Sequence, residues 1–528
     1  MLAVGLSGRI YVRGDGLEYM LQTQSIVLDK SIRIHPEQTL RHWNHTERFK
    51  LQIPSSALTT DYTVRNGFPH YYRFGGLYRD RFGDFRYYHF WLYSLTVAPA
   101  YALLDLLAPK TDLEHFSFRI MNCLYLLIPF VLLGWTECSW LLLIFSFLTL
   151  FSPLLPYVDW QHPELFCFCL VFVSFYCVNR RGWSFFPPLF LGLGATQYPP
   201  MLLFFPLHFI YRLSASCPDS AKRWAMILSS YLLALLIAAS ALLYFKHYFG
   251  AYNVITAVGY ASFKYMSLGR TVDMFLHPMI GAIWFYPALF CFIPAAIGRK
   301  NALFFGGAMV SAFCAAYLST AGTNFNGGQV GSLRYTVWIL APLFFFLTRP
   351  ENFRAVSGNR IRLLLFAAGV LLTLLDVRLF KTGTFLGKED RGFRPGERAT
   401  DETARLFRYT HYRGDIEVLA ENILGNEIAV PKDFNSIYIW NLNRGWSLWV
   451  ISQRALSQLQ TFSFDSPDIP EFTSYPANEP FVWEGGKVVL KADRIRNFQT
   501  QPVLGNYVLL RVHARVKSVN SNVKVIVR

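Results

Sequence analysis

Cysteine is missing from both polar ends of this chain. Its eight cysteines (Cys123, Cys138, Cys167, Cys169, Cys177, Cys217, Cys291 and Cys314) lie in the apolar middle, and residues 1–88 and 385–528 contain none. A disulfide framework in the polar regions is therefore excluded. Cys167-x-Cys169 has the wrong spacing for a zinc knuckle, so these thiols read as small apolar packing groups. Also absent are a strand leading into G-x-G-x-x-G, zinc-finger spacings and RNA-binding aromatic motifs. Those absences exclude a soluble Rossmann-type nucleotide site, and they leave the formal charge of +16 without a nucleic-acid partner. Acidic residues are scarce too: between Phe118 and Leu363 only Glu137, Asp159, Glu164, Asp219, Asp273 and Glu351 occur. A charge in or near a bilayer is costly, which makes each of them a candidate for function.

What is abundant is apolar side chain. Hydrophobic residues make up 53% and aromatic residues 17% of the chain, above the ~45–50% apolar content of a soluble domain. Runs such as "RIMNCLYLLIPFVLLG" (119–134) and "LLLIFSFLTLFSPLL" (141–155) recur from Phe118 to Phe380. Several reach the roughly 17–25 residues that cross a bilayer. The pattern predicts a polytopic α-helical membrane protein, with helices at 118–134, 138–155, 164–178, 184–197, 200–213, 224–245, 278–298, 302–318, 334–348 and 363–380. Loop charges alternate between these helices. One set carries Arg180 and Arg181, then Arg212, Lys222 and Arg223, then Arg299 and Lys300, then Arg349, Arg354, Arg360 and Arg362. In the other set, 156–163, 198–199 and 319–333 have no Lys or Arg, although 246–277 carries Lys246, Lys264 and Arg270. Short loops rich in Lys and Arg stay cytoplasmic, so the second set is expected outside, and the excess positive charge is assigned to membrane lipids.

Three regions follow: a first extracytoplasmic loop over 1–117, a transmembrane helical domain over 118–381, and an extracytoplasmic domain over 382–528. The last is expected to be a mostly-β α+β domain. "YVLLRVHARVK" (507–517) and "VKVIV" (523–527) alternate apolar and polar residues, and 400–410 reads as a short helix. Residues 89–108 are apolar enough for a span, but the topology favours an interfacial or re-entrant helix pair there. An outward loop beginning near residue 13 requires a preceding in-to-out helix, and residues 1–12 are too short for one. The expectation is a first span upstream of the sequence as written.

Several loops expected on the outer face carry groups capable of chemistry. "RGDGLEYMLQTQSI" (13–26) pairs Asp15 with Glu18, which is a capping box and equally a pair of carboxylates. "YVDWQHPELF" (157–166) holds Asp159, His162 and Glu164 at a helix mouth, where Pro163 suits the first turn and both carboxylates favour the positive dipole end. His89 precedes the interfacial helix; Asp80 and Asp84 stand near it among Arg73, Arg79, Arg81 and Arg86, with which they can pair. "GTNFNGGQVGSLRY" (322–335) offers Asn326, Gln329, Arg334 and Tyr335, either a polar turn with an Arg–Tyr anchor or a holder of phosphate or sugar. "TQYPPML" (196–202) reads as a proline turn at the same level.

In this order, these pieces resemble the GT-C class of polyprenyl-phosphate-sugar-dependent glycosyltransferases, which includes protein O-mannosyltransferases, the aminoarabinose transferase of lipid A and bacterial relatives. "GDGLEYMLQTQSIVLDKSI" looks like the class's acidic motif and following helix, "YYHFWLYSLTVAPAYAL" like its His-containing interfacial helix, and "HPELF", "ATQYPPMLLFFP" and "NFNGGQVGSLRY" like its later motifs. The resemblance covers residue 13 to about 425. Where many relatives have Asp-Glu, this chain has Asp15-Gly16, so Glu18 maps onto no acidic position.

The resemblance implies a GT-C-like fold of about 10–11 transmembrane helices, some of them a little short of a full span, in a bacterial plasma membrane with the active site on the periplasmic side. It implies transfer of a sugar from a polyprenyl-phosphate donor to a glycan, lipid or protein acceptor. Asp15 would take the acceptor proton, with His89 also in the catalytic set; Glu18 is a second catalytic candidate whose role the resemblance leaves open. Arg119, Asp159, His162, Glu164, Asn326, Gln329, Arg334 and Tyr335 would hold substrate or the leaving phosphate. A divalent cation, Mg or Mn, held by Asp15, His162 and Glu164 would neutralise the same phosphate. The alternatives are a transporter or lipid flippase with buried ion sites, and an oligosaccharide polymerase or ligase of the same fold class.

Overall fold

The computed structural model of the chain describes residues 16–34, 62–65, 68–71, 76–107, 116–136, 139–150, 152–178, 180, 185–215, 218–276, 281–298, 301–322, 333–349, 352 and 360–375, with strands between 437 and 515. It divides into two units, Met1–Phe393 and Arg394–Arg528.

The first unit is mostly helical. Its principal helices are α1 (Gly16–Leu28), α2 (Leu92–Leu107), α3 (Phe116–Thr136), α4 (Ser139–Leu150), α5 (Glu164–Cys177), α6 (Pro187–Ala195), α7 (Phe204–Ala215) and α8 (Ala221–Phe249). They are followed by α9 (Pro287–Ala296), α10 (Ala302–Ser319), α11 (Thr336–Ile339), α12 (Ala341–Leu347) and α13 (Arg360–Leu375). Among the described residues, three helices are long and apolar enough to cross a membrane: Phe116–Gly134 within α3, α8 and α10. The other expected spans form shorter or interrupted helices, and proline explains where several of them break. Pro199 and Pro200 open a 3₁₀ turn between α6 and α7, Pro287 starts α9 after Tyr286, and Pro342 follows the break at Leu340. Each proline removes a helical N–H and crowds the carbonyl four residues back.

The best-formed span is α8. The Ser220 side chain accepts from the Arg223 N–H at its start, and the Gly250 N–H bonds to Lys246 O at its end. At 29 residues and ~1.5 Å per residue it is ~44 Å long, more than the ~30 Å hydrocarbon core. Ile227, Ser230, Ala234, Ala238, Ala241, Phe245 and Phe249 form its buried stripe, while Leu228, Leu232, Leu236 and Leu243 on other faces are exposed, as lipid-facing residues are. The small residues let α6 approach closely. A Cβ on Gly192 would stand 2.4 Å from the Ala234 carbonyl oxygen. Gly192→Ala is therefore expected to destabilise the protein by about 1–3 kcal/mol, seen as a lower unfolding temperature in detergent.

Strands β1 (Tyr62–Arg65), β2 (Phe68–Tyr71), β3 (Leu77–Arg79) and β4 (Phe85–Tyr87) make an antiparallel sheet in that order. Its β3–β4 turn is held by Asp80: one oxygen accepts from the Phe82 and Asp84 N–H groups, and the other takes Arg86 Nε at 2.7 Å. Arg86 in turn stacks 3.6 Å over the Tyr248 ring near the end of α8, and Asp84 pairs with Arg33 at 3.2 Å. Asp80 and Asp84 thus serve to fix the hairpin. Cys123, Cys167, Cys169 and Cys177 are buried, which suits their reading as packing groups.

In the second unit, strands β5 (Ile437–Leu442), β6 (Trp446–Ser452), β9 (Arg494–Val503) and β10 (Tyr507–Arg515) pair antiparallel in the order β5-β6-β10-β9; β7 (Phe481–Glu484) and β8 (Lys487–Leu490) form a separate hairpin. Residues 400–410 and 523–527 lie outside the described residues.

Candidate functional site

The site is built around α1 and α2. Their packing is polar: Ser94 Oγ donates to Gln22 Oε1 at 2.8 Å, Gln22 Nε2 donates to His89 O at 3.5 Å, and Thr23 Oγ1 donates to Ser94 O at 3.4 Å. This register brings Glu18, in the first turn of α1, to His89, just before α2: Glu18 Oε2 and His89 Nε2 are 3.5 Å apart. The Gly76 backbone closes over the carboxylate, because a Cβ there would meet Glu18 Oε2 at 2.2 Å and the Tyr88 ring at 2.1 Å. Burial, and then the charge of Glu18, push the Tyr87 phenol well above its usual range, so it stays protonated.

Tyr19 joins this pair to a second cluster. Its ring stacks on His89 (4.8 Å between centroids) and meets His162 edge-on at 5.7 Å. His162 Nδ1 accepts from Arg334 Nη1 at 3.0 Å. Arg is always a donor, so this imidazole is neutral with its proton on Nε2. Arg334 Nε stands 3.6 Å from Glu164 Oε1, which also accepts from the Tyr198 hydroxyl at 2.8 Å. Tyr335 Oη accepts from Arg334 Nη2 at 3.3 Å, and Tyr198 stacks on Trp338. Glu164 is 0% exposed, and His162 and Arg334 are buried beside it. Burial, and then the Glu164 charge, hold the Tyr198 phenol well above its ordinary range, so it remains a donor to the carboxylate.

Glu18, His89, His162, Glu164, Arg334 and Tyr335 are thus connected through direct contacts. Arg119 and Asp159 form a separate ion pair at 2.7 Å, with the Asp159 side chain 47% exposed. Asp15, Asn326 and Gln329 lie outside the described residues. Tyr19 and Tyr198 belong to the cluster without having stood out in the sequence. Tyr19 directly follows Glu18, and Tyr198 sits in the segment that reads as a plain proline turn.

The arrangement offers a buried carboxylate–imidazole pair on one side of Tyr19 and, on the other, a fixed guanidinium with phenol and imidazole neighbours. The first suits proton transfer and the second suits an anion. Of the three ligands expected for a divalent ion, Asp15 lies outside the described residues. The two ligands expected from the described residues, His162 and Glu164, are already bridged by Arg334, and among the described residues no group of three His, Cys, Asp or Glu side chains is placed to hold a metal.

Compared with family models, curated proteins and solved structures, the chain matches none.

Proposed function

We propose that this chain is an integral-membrane glycosyltransferase that moves a sugar from a polyprenyl-phosphate donor to a hydroxyl on an extracytoplasmic glycan, lipid or protein. In this reading the protein spans a bacterial plasma membrane about 10–11 times, counting interrupted helices as crossings of the ~30 Å core. The catalytic face and the 382–528 domain are periplasmic. The observation that carries the reading is the meeting of Arg334, His162, Glu164 and Tyr198 beside the Glu18–His89 pair. The His162, Glu164 and Tyr198 segments come from loops without Lys or Arg, where the topology expects the outer face.

The chemistry divides between the two halves. Substitution at an anomeric carbon requires a base for the acceptor proton and positive charge for the departing phosphate. Asp15, immediately ahead of α1, is the base in this proposal, and the Glu18–His89 pair stands one helical turn on. Arg334 presents the planar fork that binds phosphate oxygens. His162 and Tyr335 keep that fork oriented, and burial strengthens its field at the leaving group. A transporter would set its ionisable groups within helix centres, but Glu18 and Glu164 both stand in the first turns of their helices. An oligosaccharide polymerase or ligase would use the same groups on a longer donor.

Donor binding tests the reading directly. Purified protein in nanodiscs, titrated with polyprenyl-phosphate sugars and separately with nucleotide sugars, should bind the first class saturably and not the second. Arg334→Gln should weaken that binding about 10–100-fold, the worth of a charge-assisted phosphate contact. Equal binding of nucleotide sugars would remove the basis for a lipid-linked donor.

A further inference from the structure

Asn122 lies on α3, outside the cluster described above, yet it is 0% exposed and fully engaged. Its Oδ1 accepts from the Tyr93 hydroxyl at 3.0 Å. Its Nδ2 donates to Trp160 O at 2.6 Å, with Val158 O at 3.3 Å and Tyr157 O at 3.5 Å alongside. Both partners lead to the site. Tyr93 packs edge-on against Tyr19 at 5.3 Å, and Tyr19 stacks on His89. Trp160 stacks on His162 at 5.0 Å, and its carbonyl also receives the His162 N–H at 2.8 Å. One turn earlier on the same face of α3, Arg119 holds Asp159 of the same loop at 2.7 Å. Joining a hydroxyl to carbonyls in this way takes a side chain that both donates and accepts, and the asparagine amide does so from two separate atoms, an acceptor oxygen and an NH₂ with two donors.

We propose that Asn122 is a positioning residue: the strut Tyr93–Asn122–Trp160 fixes the distance between the proton-handling half of the site at His89 and the anion-holding half at His162 and Arg334. The inference rests on the proposed glycosyltransferase reading for its catalytic consequence, and on geometry alone for its structural one. A carboxylate at this position keeps the shape and loses the donation, so Asn122→Asp would turn the carbonyls of residues 157–160 away and carry His162 with them. Tyr93→Phe removes one hydrogen bond from the other end of the strut and leaves the ring contacts in place.

The test uses the full-length protein in lipid, with ¹⁵N-labelled histidine and the His162 resonance assigned from His162→Gln. In Asn122→Asp and in Tyr93→Phe, the His162 ring nitrogens should shift away from the neutral, Nδ1-accepting signature. Transfer should lose kcat, by up to about 10²-fold as expected for misplacement of about 1 Å, with KM for the donor unchanged. Ser174→Ala, which deletes a 2.6 Å hydrogen bond to Pro187 O at the other end of α5 from Glu164, should lower thermal stability without moving the His162 signal. If Asn122→Asp fails to fold, Tyr93→Phe decides. His162 resonances that stay in place while only the melting temperature falls would make Asn122 a packing residue and overturn the proposal. A wild type that transfers no sugar would refute the glycosyltransferase reading, and the His162 shifts would still decide on the strut.

Discussion

Arg334→Gln is expected to reduce sugar transfer by about 10²–10³-fold, the usual effect of removing a donor aimed at developing negative charge. Arg334 also neighbours Glu164 in the buried cluster. Removing one member of a buried pair strands the other, which costs about 3–5 kcal/mol. A loss of activity alone would therefore be ambiguous. The double variant Glu164→Gln/Arg334→Gln separates the two effects: it removes both charges and should regain most of the lost stability, because neutral pairs fill such sites at little penalty. It should not regain transfer. Thermal unfolding in detergent alongside turnover reads both quantities. Recovery of transfer in the double variant would mean that Arg334 serves only to neutralise Glu164.

Asp15→Asn should lower kcat by about 10²–10⁴-fold, the contribution of general base catalysis. Asparagine caps a helix as well as aspartate does. Folding, judged by unfolding temperature and by elution in detergent, should stay within about 0.5 kcal/mol of wild type, as for a substitution that preserves its cap. The isosteric change thus separates the two roles that the segment "RGDGLEY" leaves open. Transfer unchanged in Asp15→Asn would leave it as a cap and point to the Glu18–His89 pair as the base.

Much of the site was legible because its residues are anomalies of composition. Glu164 and Asp159 are two of six acids in a long apolar stretch, and His162 sits between them. Topology from loop charge placed these residues on one face with Glu18 and His89, and the structure places Glu18, His89, His162, Glu164 and Arg334 in one run of contacts. What could not be read was pairing. Asp159 is held by Arg119, three residues ahead of Asn122 on α3, and no local spacing forecasts that partner. Tyr198 reaches Glu164 because Pro199 and Pro200 break the chain between α6 and α7; the prolines announce a turn but not its direction. The spans show the same division. α8 and α10 follow from uninterrupted apolar runs, while the expected helices at 278–298 and 334–348 break at prolines whose effect depends on tertiary packing.

The most direct test of the account is turnover. Purified wild-type protein in lipid, offered a panel of radiolabelled polyprenyl-phosphate sugars with membrane glycan, lipid and protein acceptors, should pass label from at least one donor, and the Arg334→Gln protein should not. Failure of every polyprenyl-phosphate donor, or equal transfer by the Arg334→Gln protein, would contradict it.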